Sequence, residues 1–76
     1  MTDYRPIDCG LYSRYEVAIL EGRARRFGWR DETGRSHLGV LRPRDLVTRA
    51  HAEYLVAETA DGERLELRLD RIDYME

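Results

Sequence analysis

Between residues 11 and 19 the apolar positions Leu11, Tyr15, Ala18 and Ile19 fall at i, i+4, i+7 and i+8, one stripe of a helix. Pro6 restrains the approach, the Asp8 carboxylate is placed to accept from free N–H groups, and Gly22 suits the left-handed position that ends a helix. These signals predict a helix over about 9–20. After Gly22 the period changes to two. Phe27 and Trp29 share one face of a strand whose other face carries Arg26, Gly28 and Arg30, and Asp31-Glu32-Thr33-Gly34 supplies a turn. A second strand through Leu38 and Val40 is expected to stop near Pro43, which has no N–H for a ladder. Glu53 to Thr59 is apolar on both faces, as an interior strand would be, and Asp61-Gly62 signals a hairpin. Leu65, Leu67 and Leu69 then alternate with Arg64, Glu66 and Arg68, and Ile72 and Tyr74 mark a short last strand. One helix followed by about five short strands predicts a mainly β fold with one N-terminal α-helix, a small barrel over about 23–75. Its expected core is Tyr15, Ile19, Phe27, Trp29, Leu46, Val56, Leu65, Leu67 and Leu69.

Size narrows the architecture. A chain of 76 residues makes one domain, 1–76, with a marginal core, so a closed or nearly closed sheet is expected. Cys9 is the one cysteine, which excludes an internal disulfide and fits a reducing cytoplasm. No apolar run reaches the roughly 18 residues of a membrane span. The first residues are acidic and polar and lack the order of a secretory signal, so a cytoplasmic location without membrane contact is expected.

The net charge of −2 hides a pattern, and all 13 basic residues are arginine. Residues 23–49 carry eight arginines against three acids, a net of +5, and residues 50–76 carry three arginines against eight acids, a net of −5. Pairing of strands from the two segments would interleave these signs. Left segregated, they would make a basic and an acidic patch with different partners.

Catalytic chemistry finds little support. His37 and His51 lack a Cys or acid at ligand spacing, and no Ser/His/Asp order, phosphate loop or carboxylate pair stands out. An enzyme is not expected, nor a metal or cofactor. Cys9, at the helix start, is assigned to packing, as free cysteines usually are. Phe27 and Trp29 beside Arg25, Arg26 and Arg30 resemble the aromatic-plus-basic composition of a nucleic-acid face, but a small core needs such rings inside. Asp45 is expected to cap a short turn carrying Leu46 and Val47 inward.

Four stretches taken in register carry more information than any residue alone. Tyr4-Arg5-Pro6-Ile7-Asp8-Cys9 with Tyr12 is followed by Asp45-Leu46-Val47-Thr48-Arg49. Glu53-Tyr54-Leu55-Val56 and Glu66-Leu67-Arg68-Leu69-Asp70-Arg71-Ile72 complete the set. Their order and spacing resemble the Rof (YaeO) family of small bacterial proteins that bind the transcription terminator Rho. The resemblance covers Tyr4 to Ile72. It implies a fold similar to Sm-like RNA-binding barrels and to a protein subunit of RNase P. It also implies an antiterminator that occupies Rho's primary RNA-binding site through the exposed helix face and the loop after Asp-Leu-Val. Tyr12, Glu16 and Arg49 match that pattern, and Ser13, Ala50 and His51 complete the implied Rho-binding set. Gly10, Leu11 and Ser13 stand where family members carry acids, Ala50-His51 replaces a more polar loop end, and about two extra residues lie between Gly34 and Asp45. The implied protein is a monomer when free, with weak or absent RNA binding. Two alternatives stand beside it: an Sm-like RNA-binding module using the arginine-rich segment 23–49, and a partner-binding domain of the same fold that has lost Rho.

Overall fold

The computed structural model describes residues 3–76. Helix α1 runs over Cys9–Glu21, and its ends are fixed as the local signals require. Asp8 Oδ1 accepts from the Leu11 N–H at 3.1 Å, and Gly22, at φ 69°, donates its N–H to the Ala18 carbonyl. Tyr15 and Ala18 are buried, and Leu11, Tyr12 and Ile19 pack beside them, so the stripe faces the core as expected. Cys9 is exposed, against the packing role expected of it. At 100° per residue it lies about 160° around the helix from Leu11, on the face turned away from the core.

Five antiparallel strands follow: β1 (Arg25–Arg30), β2 (Ser36–Arg49), β3 (Ala52–Glu58), β4 (Arg64–Arg68) and β5 (Ile72–Met75). They form a sheet of order β4-β3-β2-β1-β5, so the class is mainly β with one N-terminal helix. The edges β4 and β5 are joined by a 3₁₀ turn, Leu69–Arg71, that carries the chain across the open side. The β1–β2 turn is built on Asp31, whose carboxylate accepts from the Thr33 and Arg35 N–H groups, with Gly34 at φ 86°. The β3–β4 hairpin closes through Gly62 at φ 85°.

β2 does not stop at Pro43. Residues 36–41 pair with β1 and residues 42–49 with β3, and a bulge between Pro43 and Asp45 marks the change of partner. The proline therefore sits at an irregularity, where its missing N–H costs no ladder bond, and its ring is fully buried. Nor does Asp45 cap a turn: it lies within β2, and its carboxylate accepts from the Leu46 N–H just past the bulge. The turn comes later, at Ala50-His51.

Phe27, Leu55 and Leu69 are fully buried, and Leu67 is nearly so. Trp29, Leu46, Leu65 and Ile19 pack half-buried against this cluster, and Val56 is buried outside it, opposite Asp45 and Glu66. Leu41, Ala57, Ile72 and Met75 complete a core that alternation in the sequence did not single out. No helix is long and apolar enough to cross a membrane among the described residues.

Candidate partner-docking surface

The segment preceding α1 is tied down by a charge network at the end of β4. Arg68 donates to both Asp70 oxygens (Nε–Oδ1 2.6 Å, Nη2–Oδ2 3.0 Å) and to Asp3 (2.8 Å), while the Arg5 N–H donates to Asp70. Burial opposes the Asp70 charge, but the bonds from Arg68 and the Arg5 N–H outweigh it and hold the carboxyl below its ordinary range. The result seats Tyr4 beneath the Arg68 guanidinium, 5.8 Å from its ring centroid.

Tyr4 then reaches β3, 49 residues away, where its hydroxyl donates to Glu53 Oε1 at 3.3 Å. Burial and the Glu53 charge push its phenol up to about 12. Tyr12, on the flank of α1, is raised for the same reasons: burial first, then the charges of Glu53 and Glu16. Two phenols and two carboxylates thus converge where the first half of the helix meets the start of β3. Among the described residues neither Glu16 nor Glu53 has an ion-pair partner. The surface is therefore electronegative, half aromatic and mounted on a capped helix and an interior strand.

Tyr12 and Glu16, implied by the resemblance, lie on this surface, and Tyr4 and Glu53, not named in that set, lie beside them. The latter two lie in stretches that carry the resemblance, yet only the path of the N-terminal segment over β3 joins them to the helix. Ser13 is exposed on the adjoining helix face. Arg49 goes elsewhere. Its guanidinium lies 4.7 Å from the Tyr54 ring centroid and pairs with Glu66, which raises the arginine pKa and depresses that of Glu66. Successive strand residues face opposite ways, so Tyr54 and Arg49's head group lie on the side away from Glu53. Ala50 and His51 form a two-residue turn closed by Arg49 and Ala52, both at positive φ (52° and 65°). That turn borders the acidic surface, because the next pair in the ladder is Thr48 with Glu53.

No family model matches the chain. It is 38% identical over 69 residues to protein rof of Escherichia coli (strain K12), a match spanning 91% of this chain and 76% of that protein. Protein rof of Shigella flexneri matches over the same shares at the same identity. The chain belongs to the Rof family.

Within this Rof-family chain the other clusters are occupied internally. Trp29 stacks on His37 with centroids 5.5 Å apart, and His37 Nε2 lies 2.7 Å from Asp31 Oδ2. The bonds from His37 and Thr33 hold the Asp31 carboxyl far below its usual value. This pair lines an open cleft of about 720 Å³ with Tyr54, Leu65 and Leu67, ringed by both acids and arginines. No group of three or more potential metal ligands occurs among the described residues. The segregated charges of the sequence are largely interleaved: Arg26 pairs with Glu76, Arg30 with Asp73, Arg44 with Glu58 and Arg49 with Glu66. Arg23 and Arg25 are held by Glu21.

Proposed function

We propose that this Rof-family chain is an antiterminator that docks on the primary RNA-binding site of Rho and keeps the transcript from loading. The observation that carries this reading is the pair of carboxylates, Glu16 and Glu53, flanking Tyr12 without ion-pair partners among the described residues. A site that binds RNA phosphates must be basic, and an unneutralised acidic surface on a rigid scaffold is its electrostatic complement. Inhibition then needs no bond-making, cofactor or metal. Two surfaces compete for one site, and the chain acts as a monomer in the cytoplasm where Rho works.

The rival RNA-binding reading loses support from ion pairs elsewhere, made by Glu21, Asp73 and Glu76. Arg23, Arg25, Arg26 and Arg30 each face a carboxylate, which leaves few guanidinium groups of that strand for phosphate. Binding of purified Rho, followed by calorimetry at two salt concentrations, tests the docking surface. Glu53→Arg and Glu16→Arg should each weaken binding, most at low salt where screening is least. Arg49→Ala should weaken it less, since its head group is engaged with Tyr54 and Glu66. Equal affinity for wild type and the two charge reversals would refute the assigned surface.

A further inference from the structure

Two aliphatic side chains of α1 do not enter the core. Val17 is 51% exposed and Leu20 85%. A lone exposed leucine is ordinary, so exposure alone assigns Leu20 nothing. Its position does. Tyr12, Glu16 and Leu20 stand at i, i+4 and i+8, one ridge of the helix, rising about 12 Å from first to last. Ser13 and Val17 begin the neighbouring ridge. The strip therefore passes from a half-buried phenol to an exposed carboxylate to bare aliphatic within three helical turns.

The chemistry of a single-strand RNA site matches that order. Such a site supplies cations to phosphates and apolar or aromatic surfaces to unstacked bases, side by side. Resting on the function proposed above, we infer that Leu20, supported by Val17, is an apolar anchor of the docking surface. It enters the base-holding part of the partner's RNA-binding site while Glu16 and Glu53 meet its cations. A second copy of this chain is a poorer occupant, because the strip is only two side chains wide, far short of a stable symmetric interface.

Competition against a labelled cytidine-rich strand for purified Rho tests the inference, using wild type, Leu20→Gln, Leu20→Met and Glu16→Arg at low and high salt. Leu20→Gln should weaken competition about tenfold, and Leu20→Met should stay within about threefold of wild type. The ratio of wild type to Leu20→Gln should hold as salt rises, whereas the ratio to Glu16→Arg should shrink. Thermal melts of the Leu20 variants should match wild type, because the side chain is exposed. If Leu20→Gln competes as well as wild type, the anchor is refuted and the proposed function stands. If wild type itself fails to compete, the function is refuted. Loss of self-association in sedimentation, with competition unchanged, would refute the anchor in favour of a contact between copies.

Discussion

The turn joining β2 and β3 stores strain that can be removed. Two residues connect paired Arg49 and Ala52, and both have positive φ, 52° at Ala50 and 65° at His51. This is the backbone of a two-residue hairpin whose preferred sequence is Asn-Gly. A residue with a Cβ held in the left-handed region loses roughly 1–2 kcal/mol relative to its right-handed conformation. Glycine at 51 relieves that amount but adds unfolded-chain entropy of roughly 0.5–1 kcal/mol. Asparagine at 50 relieves part of the strain by local hydrogen bonding. The double change Ala50→Asn with His51→Gly should thus stabilise the domain by about 1–2 kcal/mol. For a domain of this size each kcal/mol raises Tm by about 4–8 °C. Circular dichroism melts of wild type, each single variant and the double variant measure this directly, with His51→Gly contributing the larger share. Neither side chain is buried, so packing does not complicate the comparison. An unchanged or lowered Tm for the double variant would refute the turn and the register it imposes on β3.

Leu67, 5% exposed and paired with Leu55, should lose about 2–5 kcal/mol of stability on replacement by alanine, and a melt unchanged by Leu67→Ala would reject the alternation read at 65–69. The carboxyls of Asp3, Asp31, Glu66 and Asp70 are all depressed in the folded protein. Their contribution is therefore complete above the unfolded carboxyl range near pH 4 and is lost as pH falls toward the folded values. Urea titrations across pH should show stability declining below about pH 5, and Asp70→Asn should reduce stability at neutral pH while flattening that decline; identical slopes would refute the Arg68–Asp70 linkage. Labelled single-stranded RNA titrated at physiological salt should bind weakly and with steep salt dependence. Submicromolar affinity lost in Trp29→Ala would restore the arginine-rich segment as an RNA site.

What the sequence conveyed was what is determined locally. Asp8, the stripe from Leu11 to Ile19 and Gly22 act within a few residues, so the helix was legible to within one residue at its end. Asp31 to Gly34 and Asp61-Gly62 marked their turns for the same reason. The path of β2 through Pro43 was not legible, because it depends on a change of neighbour from β1 to β3 that local residues do not encode. Ala50 gave no warning of positive φ, since alanine disfavours it, and His51, of a type enriched there, gave only a weak one. Charge behaved likewise. The +5 and −5 segments look like two patches in the linear chain and become cross-strand pairs once β1 lies beside β5 and β2 beside β3. At the candidate surface, Tyr12 and Glu16 came from the family resemblance and not from helical periodicity. Glu53 and Tyr4 required contacts across 49 residues of chain, and the placing of Arg49's head group depends on strand alternation and Glu66.

The most direct test titrates a labelled cytidine-rich strand into purified Rho at increasing fixed concentrations of this chain. RNA affinity should fall in proportion to the added chain without levelling off, as competition for one surface requires. The double variant Glu16→Arg with Glu53→Arg should restore the RNA affinity of Rho alone. An RNA affinity unaltered at large excess of the chain, or a loss that saturates while RNA stays bound, would refute competition for one surface.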